Sequence, residues 1–211
     1  MECPVKATTK IYGLIGHPVS HSFSPAMHNT AFSKLKLDAV YGAFDVPPER
    51  LEHALMGVCG LGIAGLNVTV PHKSAVIPHL DRLEPLAKTI GAVNTIVNHN
   101  GSLRGTSTDS AGFLRALKEN GMEPNGLNIV MLGAGGSARA LLAGLAEANA
   151  SSVRVWNRTT VRAQNLVKDL KPIFPGCNIQ HIEKENLMGL EWAPLINTTS
   201  AGMHDDETAY D

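Results

Sequence analysis

Short apolar runs alternate with polar turns and amphipathic stretches along the whole sequence. Short apolar runs are typical of buried strands, and apolar residues spaced three and four apart are typical of helices that pack on a core. In the first half this pattern predicts strands over residues 11–15, 39–46, 67–70 and 95–97. It predicts helices over residues 25–35, 47–58 and 83–89, and near Lys73. Such alternation favours an α/β fold with a mostly parallel sheet.

A second α/β domain follows a polar, glycine-containing segment at residues 98–108. Helical spacing over residues 109–120 leads into it and predicts a bridging helix. The strands predicted beyond it cover residues 128–132, 153–156, 178–182 and 195–198, with helices over residues 133–148 and 160–170. We place the domain boundary near Arg104, so that residues 1–104 form the first domain and residues 105–211 the second.

The stretch Asn67-Val-Thr-Val-Pro-His-Lys73 combines alternating polar and apolar residues with a proline and a lone amine. Alternation places Asn67 and Thr69 on one face of a strand end. Pro71 cannot donate to a strand ladder, but it fits the first turn of a helix that would carry Lys73 just beyond the strand. Ligands bind at that end of open α/β sheets, so we expect these side chains to line a crevice.

Asn94 and Asp109 also fall at predicted strand ends or helix starts of the same domain edge. A lysine beside a carboxylate, in a crevice that closes over substrate, can donate a proton to a developing alkoxide. The simpler interpretations are that Lys73 is an exposed helix lysine and that Asp109 caps a helix N-terminus. The number of polar residues at this edge favours the catalytic interpretation.

A loop rich in serine and histidine follows the first predicted strand, at residues 16–25. Ser24 before Pro25 is a good helix N-cap. Ser22 precedes that cap, and no hydrogen bond to the local backbone is predicted for it. It is therefore expected to face the crevice at the end of the strand.

The segment Gly133-Ala134-Gly135-Gly136-Ser137-Ala138 matches the dinucleotide-binding pattern GxGxxG/A between a predicted buried strand and a helix. Gly133 permits a tight turn, Gly135 lets the backbone approach a pyrophosphate, and Ala138 keeps the helix close to the strand. The helix N-terminus adds amide donors and the positive end of its dipole. The simpler alternative is a tight turn without a ligand. The position of the motif favours a Rossmann-type nucleotide-binding domain over residues 105–211.

The residues after the next strand indicate which nucleotide binds. An NAD enzyme carries an acidic residue there to hold the ribose hydroxyls. Here the strand is followed by Asn157, Arg158 and Thr159, with Arg162 one turn further on. A guanidinium attracts a 2′-phosphate and stacks on adenine, so Arg158 favours NADP as the cofactor. Arg162 is a weaker candidate, and the alternative for both is a solvated surface arginine.

Composition and charge narrow the classes of partner. The sequence of 211 residues is 44% hydrophobic and 18% charged, and its 18 basic and 19 acidic residues give a net charge of −1. This balance leaves no electrostatic footprint for nucleic acid or a membrane surface, and no apolar run is long enough to span a bilayer. We therefore expect small molecules as partners.

Cysteine and histidine usage argues against a metal site. The cysteines are isolated from one another in sequence: Cys3, Cys59 and Cys177. This spacing argues against zinc and against a disulfide framework, and it fits a reducing compartment, with the cytoplasm as the default. The histidines near the first loop lack carboxylate or cysteine partners at ligand spacing: His17, His21 and His28.

Taken together, these stretches resemble shikimate dehydrogenase over nearly the whole chain. The resemblance is carried by residues 16–29, 67–73, 91–95, 108–109, 157–159 and 197–203. It implies that Ser22 and Ser24 hold the substrate carboxylate. It also implies that Asn67, Thr69 and Asn94 are substrate contacts.

The same resemblance implies a catalytic pair and a reaction. Lys73 would act as acid and base with Asp109 as its carboxylate partner, which also lies against the substrate. Thr198 and Met203 would belong to the segment under the nicotinamide. The implied reaction is reversible hydride transfer between NADPH and the ring carbonyl of 3-dehydroshikimate, giving shikimate in aromatic amino acid biosynthesis. A quinate or dual-specificity dehydrogenase is the close alternative, against which Arg158 argues insofar as NAD preference accompanies an acidic residue.

Three features depart from the family pattern. Ser107 stands where the family usually has asparagine, and Ser110 stands where glycine is common. The sequence ends at Asp211, before a tyrosine, a glutamine and terminal helices that the resemblance implies. A C-terminally truncated form is therefore expected, with exposed apolar faces that favour a homodimer or lower stability. The second hypothesis is that such a form binds substrate and NADP without catalysis.

Overall fold

The structure, a computed structural model, describes residues 5–187, 193–199 and 201. The described residues divide between residue 107 and residue 108 into two compact units, which we call unit 1 and unit 2. Each unit contains one β-sheet and several helices. Within the described part of the chain, no helix is both long enough and apolar enough to cross a membrane.

Unit 1 is an α/β unit built on six strands. The strands are β1 (Lys10–Gly16), β2 (Ala39–Asp45), β3 (Gly65–Val68), β4 (Arg82–Leu83), β5 (Thr95–His99) and β6 (Ser102–Thr106). The helices are α1 (Ser24–Lys34), α2 (Leu51–Gly60) and α3 (Pro85–Ile90), with short 3-10 helices at Pro48–Arg50 and Ile77–His79. The strand order is β2-β1-β3-β5-β6-β4. Three of the strand pairs are parallel, which confirms the predicted α/β fold with a mostly parallel sheet.

A β-hairpin interrupts the parallel order of this sheet. β5 pairs antiparallel with β3 on one side and with β6 on the other. Only Asn100 and Gly101 connect β5 to β6, and both have positive φ angles, 53° and 89°. That conformation is the one a tight two-residue hairpin turn requires. The polar, glycine-containing segment at residues 98–108 therefore includes β6, a strand that the sequence pattern did not predict.

The segment after β3 forms turns instead of the predicted helix near Lys73. β3 ends at Val68, and residues 70–76 form consecutive turns before the short 3-10 helix. The carbonyl of Lys73 accepts a hydrogen bond from the amide of Val93 at 2.8 Å. This bond to a distant segment replaces the local bond that an α-helix would make. The prediction failed because tertiary contacts outweigh the helix-starting tendency of Pro71.

The two faces of the unit 1 sheet differ in chemistry. One face packs into an apolar core in which Ile15, Val68 and Ile96 are at most 2% exposed. On the other face Asn67 lies beside Thr95 in register. Because successive side chains of a strand alternate, Leu14 shares the face of its register partner Asn67, and this face carries a smaller apolar cluster of Leu14, Val19 and Tyr41 beside its polar side chains.

Unit 2 is a four-stranded parallel sheet with helices. Its strands are β7 (Asn128–Leu132), β8 (Ser152–Trp156), β9 (Asn178–His181) and β10 (Leu195–Asn197). Its helices are α4 (Asp109–Glu119), α5 (Gly136–Glu147) and α6 (Thr160–Leu170), with a 3-10 helix at Lys184–Leu187. The strand order is β10-β7-β8-β9, all parallel. From β7 the chain adds β8 and β9 on one side of the sheet, and it then returns to place β10 on the other side of β7. This is the Rossmann-type arrangement, which places ligands at the reversal between β7 and β10.

Candidate active site

The carboxyl end of the unit 1 sheet gathers residues from several strands. β1, β2 and β3 are parallel, so their carboxyl ends meet at one edge. Asn67 near the end of β3 pairs with Thr95 at the start of β5, and Thr95 pairs in turn with Thr106 at the end of β6. The antiparallel hairpin therefore still brings Asn94 to this edge. We call it the polar edge: the ends of β1, β2, β3 and β6 and the start of β5.

A row of hydrogen-bonded side chains holds Asn67 and Asn94 on the polar edge. The hydroxyl of Tyr41, on β2, lies 2.7 Å from Oδ1 of Asn67. Nδ2 of Asn67 donates to Oγ1 of Thr95 at 3.2 Å and, at 3.4 Å, to the backbone carbonyl of Asn94. Oγ1 of Thr95 donates to Oδ1 of Asn94 at 2.9 Å. Burial raises the pKa of Tyr41 to about 12, so its phenol remains a donor at neutral pH.

The loop after β1 carries the two predicted serines. Ser24 is the first residue of α1, with Phe23 at the N-cap position, so the prediction that Ser24 caps the helix was wrong. The amide of Ser24 instead donates to the hydroxyl oxygen of Ser22 at 3.2 Å. Ser22 therefore has a local backbone partner, contrary to prediction, because its hydroxyl lies two residues before the helix. Both serine side chains remain partly exposed.

Two histidines bind to adjacent residues where β2 ends. Nδ1 of His17 lies 2.7 Å from Oδ1 of Asp45. His72 is 1% exposed, and its Nε2 lies 2.7 Å from the carbonyl oxygen of Val46. A carbonyl oxygen only accepts, so His72 carries a proton on Nε2. These contacts fix the loop after β1, and the turn that carries Lys73, against one strand end.

Lys73 lies partly buried in the turns after β3. Just before it, the amide of Thr69 donates to the carbonyl of Ile15 at 2.9 Å, which extends the β1–β3 pairing by one residue. The polar edge therefore brings Asn67, Thr69 and Asn94 together with the segment of Lys73.

Asp109 lies in unit 2, as the first residue of α4. Thr108 occupies the N-cap position, so the alternative that Asp109 caps the helix was wrong. A negative charge in the first helical turn is favourable. Ser107 and Ser110 are 7% and 3% exposed. Ser110 packs against Gly144 of α5, where an added Cβ would collide with the serine hydroxyl, so small residues allow α4 and α5 to lie close together.

The glycine-rich loop of unit 2 joins β7 to α5. Gly133 has a φ angle of 106°, which L side chains rarely adopt, and an added Cβ would collide with the hydroxyl of Thr198. Gly135 is the N-cap of α5, and an added Cβ there would meet nothing within 4 Å. Ala138 is fully buried at 0% exposure, which lets α5 lie close to the sheet. Open space beside the amides of a helix start suits a phosphate group.

The segment after β8 lies next to this loop. The amide of Gly133 donates to the carbonyl of Trp156, the last residue of β8, at 2.8 Å. Nδ2 of Asn157 donates to the carbonyl of Thr159 at 2.9 Å, and Thr159 is the N-cap of α6. Both predicted arginines are exposed: Arg158 and Arg162. Arg158 therefore follows the strand end beside the glycine-rich loop, where the ribose of a nucleotide would lie.

Thr198 anchors the end of β10 to the end of β7. Its hydroxyl and its amide both donate to the carbonyl of Leu132, at 2.7 and 2.8 Å. This places Thr198 at the reversal of the strand order. Met203, the other predicted contact of this segment, lies outside the described residues.

The two units supply complementary chemistry. Unit 1 offers amides, hydroxyls and an amine, which suit a hydroxylated substrate, and unit 2 offers an anion-binding loop. Among the residues that the structure describes, no cluster of three or more histidine, cysteine or acidic side chains is arranged to hold a metal ion. Sequence reasoning missed Tyr41, Thr95 and His72. The sequence around Tyr41 does not indicate its role, because its hydrogen-bond partner Asn67 is 26 residues away.

Comparison with known proteins finds relatives that share one name. Residues 14–96 match the model of a shikimate dehydrogenase substrate binding domain. A shikimate dehydrogenase (NADP(+)) from Caldanaerobacter subterraneus subsp. tengcongensis is 46% identical over 206 residues, which cover 96% of this chain and 72% of the relative. A protein of the same name from Methanopyrus kandleri is 54% identical over 211 residues, which cover 96% of this chain and 71% of the relative.

A solved structure agrees with these relatives. The shikimate 5-dehydrogenase from Thermus thermophilus, in complex with NADP(H) and shikimate, superposes with a TM-score of 0.79 at 39% sequence identity. The match covers 92% of this chain and 69% of that one.

Proposed function

The chain belongs to the shikimate dehydrogenase family, and we propose that it carries out the family's reaction with the side chains of the polar edge. Relatives at 46% and 54% identity confirm the predicted family and the predicted NADP dependence. The protein is thus an oxidoreductase that reversibly reduces 3-dehydroshikimate to shikimate in the shikimate pathway. The meeting of Asn67, Thr69, Asn94 and the Lys73 segment at one sheet edge supports the assignment of residues.

Lys73 is the proposed acid and base. Negative charge develops on the ring oxygen of 3-dehydroshikimate during reduction, and Nζ of Lys73 donates a proton to it. In the direction of oxidation the neutral amine takes the proton from the hydroxyl of shikimate. Asp109 is the proposed carboxylate partner, since a nearby negative charge favours the protonated amine. The anchoring of His72 to Val46 at 2.7 Å supports this role by fixing the turn in which Lys73 lies.

Hydroxyl and amide groups are the proposed substrate contacts. The hydroxyls of Ser22 and Ser24 donate to the substrate carboxylate, an acceptor that strengthens such bonds. Asn67, Thr69 and Asn94 bind the ring hydroxyls, because amide and hydroxyl groups both donate and accept.

The residues of unit 2 fit NADP. NADPH held by these residues would supply the hydride for the carbonyl carbon of 3-dehydroshikimate. The open space at Gly135 and the amides of the α5 start suit the pyrophosphate, and the exposed guanidinium of Arg158 suits the 2′-phosphate. The proposed cofactor contacts are Gly133, Ala134, Gly135, Gly136, Ser137, Ala138, Asn157, Arg158, Thr159, Arg162, Thr198 and Met203.

A two-part measurement tests this function. Purified protein is mixed with shikimate and NADP while NADPH formation is followed by absorbance, and binding of each compound is measured by calorimetry. We expect NADPH to form, and to form faster with shikimate than with quinate. Binding of both compounds without NADPH would instead support the module that binds without catalysis. Faster turnover of quinate would support the quinate dehydrogenase alternative.

The cysteines support a proposal for the location of the protein. Cys59 and Cys177 are free thiols, which fit a reducing compartment, and we propose the cytoplasm.

A homodimer is proposed because large apolar side chains such as Phe23 and Met27 are 86% and 61% exposed. Light scattering of the purified protein measures the mass directly, and a monomeric mass at all concentrations would exclude the dimer.

A further inference from the structure

We propose that Tyr41 and Thr95 are positioning residues that set the orientation of the Asn67 and Asn94 amides on the polar edge. Through those amides they determine which hydrogen bonds meet the ring hydroxyls of the substrate. This inference rests on the proposed function, in which Asn67 and Asn94 contact shikimate.

The orientation of the Asn67 amide is fixed by a backbone carbonyl. Nδ2 of Asn67 lies 3.4 Å from the carbonyl oxygen of Asn94 and 3.2 Å from Oγ1 of Thr95. A carbonyl oxygen only accepts, so the nitrogen end of the amide must face it. The oxygen end of Asn67 then faces Tyr41, whose hydroxyl lies 2.7 Å away and is the donor.

The orientation of the Asn94 amide follows from that of Asn67. The hydroxyl of Thr95 accepts from Asn67, so its single hydrogen is directed to Oδ1 of Asn94, 2.9 Å away. The oxygen end of the Asn94 amide therefore faces Thr95. The four side chains form a relay in which every hydrogen bond runs in the same direction. Tyr41 donates to Asn67, Asn67 donates to Thr95, and Thr95 donates to Asn94.

The fold holds the relay in place. Tyr41 is 4% exposed and packs in a cluster with Leu14 and Val19. Its backbone amide and carbonyl bind the side-chain amide of Asn29 on α1, both at 2.9 Å. Asn67 and Thr95 are direct partners of the antiparallel β3–β5 pair, whose facing side chains lie close together. An amide with one fixed orientation is preorganised, so the substrate does not have to order it on binding.

Thr95→Val is the direct test of the relay, because valine keeps the shape of threonine and removes the hydroxyl. Asn67 then loses an acceptor and Asn94 loses a donor. We expect kcat/KM for shikimate to fall about 10- to 100-fold, with the KM for NADP changed less than about 2-fold. Thr95→Ser keeps the hydroxyl and is expected to retain kcat/KM to within about 3-fold.

Tyr41→Phe tests the start of the relay. This variant removes only the phenolic oxygen and is expected to lower kcat/KM for shikimate about 3- to 10-fold. Because both residues act on the same amides, the double variant Tyr41→Phe/Thr95→Val should lose less than the product of the two single losses. A loss equal to that product would contradict a shared relay.

Side-chain amide NMR separates the relay from catalysis. In protein labelled with ¹⁵N asparagine, Thr95→Val should shift the side-chain NH₂ signals of both Asn67 and Asn94, whereas Thr95→Ser should leave them near their wild-type positions. Active wild-type protein with an equally active Thr95→Val variant and unshifted signals would overturn the relay alone. Wild-type protein that neither binds nor oxidises shikimate would overturn the proposed function, and this inference with it. Urea unfolding of each variant identifies any loss of activity that comes from unfolding.

Discussion

The two candidate sites of this protein are built from different parts of the chain. In unit 1, side chains bond to one another along the polar edge, as Tyr41 bonds to Asn67 at 2.7 Å and Thr95 to Asn94 at 2.9 Å. In unit 2, the backbone forms most of the site: a glycine with a φ angle of 106° turns the chain, and the start of α5 presents its amides. The charged groups proposed to bind NADP there are the exposed arginines Arg158 and Arg162.

This difference predicts different sensitivities to mutation. A site made of side chains fails when an atom is removed, because each lost partner leaves another polar group without its bond. A site made of backbone fails when an atom is added, because the conformation or the space is lost. Substitutions at the polar edge of unit 1 and at the glycine-rich loop of unit 2 should therefore separate catalysis and shikimate binding from NADP binding.

Lys73→Ala is expected to have the largest effect. Loss of the proton donor should lower kcat about 100- to 10,000-fold, while the affinity for NADP, measured by fluorescence titration, stays within about 2-fold. Lys88→Ala, which removes an exposed lysine from α3, is the matched control and should leave kcat unchanged. Wild-type turnover in Lys73→Ala would remove Lys73 from the mechanism.

Arg158→Ala tests the side chain on which NADP preference depends. Loss of charge-assisted bonds to the 2′-phosphate should weaken NADP binding about 10- to 100-fold and leave NAD binding unchanged. Arg115→Ala is the control, since Arg115 is an exposed arginine paired with Glu119 on α4. An equal loss of affinity for NADP and NAD would mean that Arg158 does not read the 2′-phosphate.

Gly133→Ala tests the backbone site by adding one carbon. The new Cβ would collide with Thr198 and occupy a conformation with positive φ, so we expect a loss of about 1–3 kcal/mol in the free energy of unfolding, together with weaker NADP binding. Gly112→Ala adds the same carbon in α4, where nothing lies within 4 Å, and should be neutral or slightly stabilising. Unaltered stability and NADP binding in Gly133→Ala would contradict the backbone account.

The pH dependence of stability gives the smallest effect. Burial raises the pKa of Tyr41 from 10.0 to about 12, so the folded protein keeps this proton to higher pH than the unfolded chain does. The contribution of this shift to the free energy of unfolding is fully present below about pH 10 and is lost as the pH rises to about 12. Urea unfolding of wild type and Tyr41→Phe should therefore show a steeper decline for wild type across that window. Parallel declines would indicate that Tyr41 is not desolvated in the folded state.

The same contrast explains how much the sequence predicted. The glycine-rich loop of unit 2 was recognised because each of its requirements is local: a buried strand, glycines at fixed spacing and a helix start. In unit 1 the sequence predicted that Asn67 and Asn94 lie at one edge of the domain, and the structure places them there, but the sequence did not single out Tyr41 and Thr95. Their roles depend on which strands become neighbours, and the antiparallel β3–β5 pairing was not foreseen.

Two errors had identifiable causes. The strand β6 was not predicted, although the turn Asn100-Gly101 before it carries the residue types of a tight hairpin. The helix predicted after Pro71 does not form because the Lys73 carbonyl bonds to Val93, twenty residues along the chain. No local pattern encodes such a bond, since it depends on the completed sheet.

Isotope transfer tests the central claim most directly. Purified protein reduces 3-dehydroshikimate with NADPH carrying deuterium on one face of its nicotinamide C4, prepared separately for each face, and the shikimate formed is analysed by mass spectrometry. We predict one deuterium per shikimate molecule from one of the two faces and none from the other. Shikimate without deuterium from either preparation, or no shikimate at all while both compounds bind, would contradict hydride transfer by this protein.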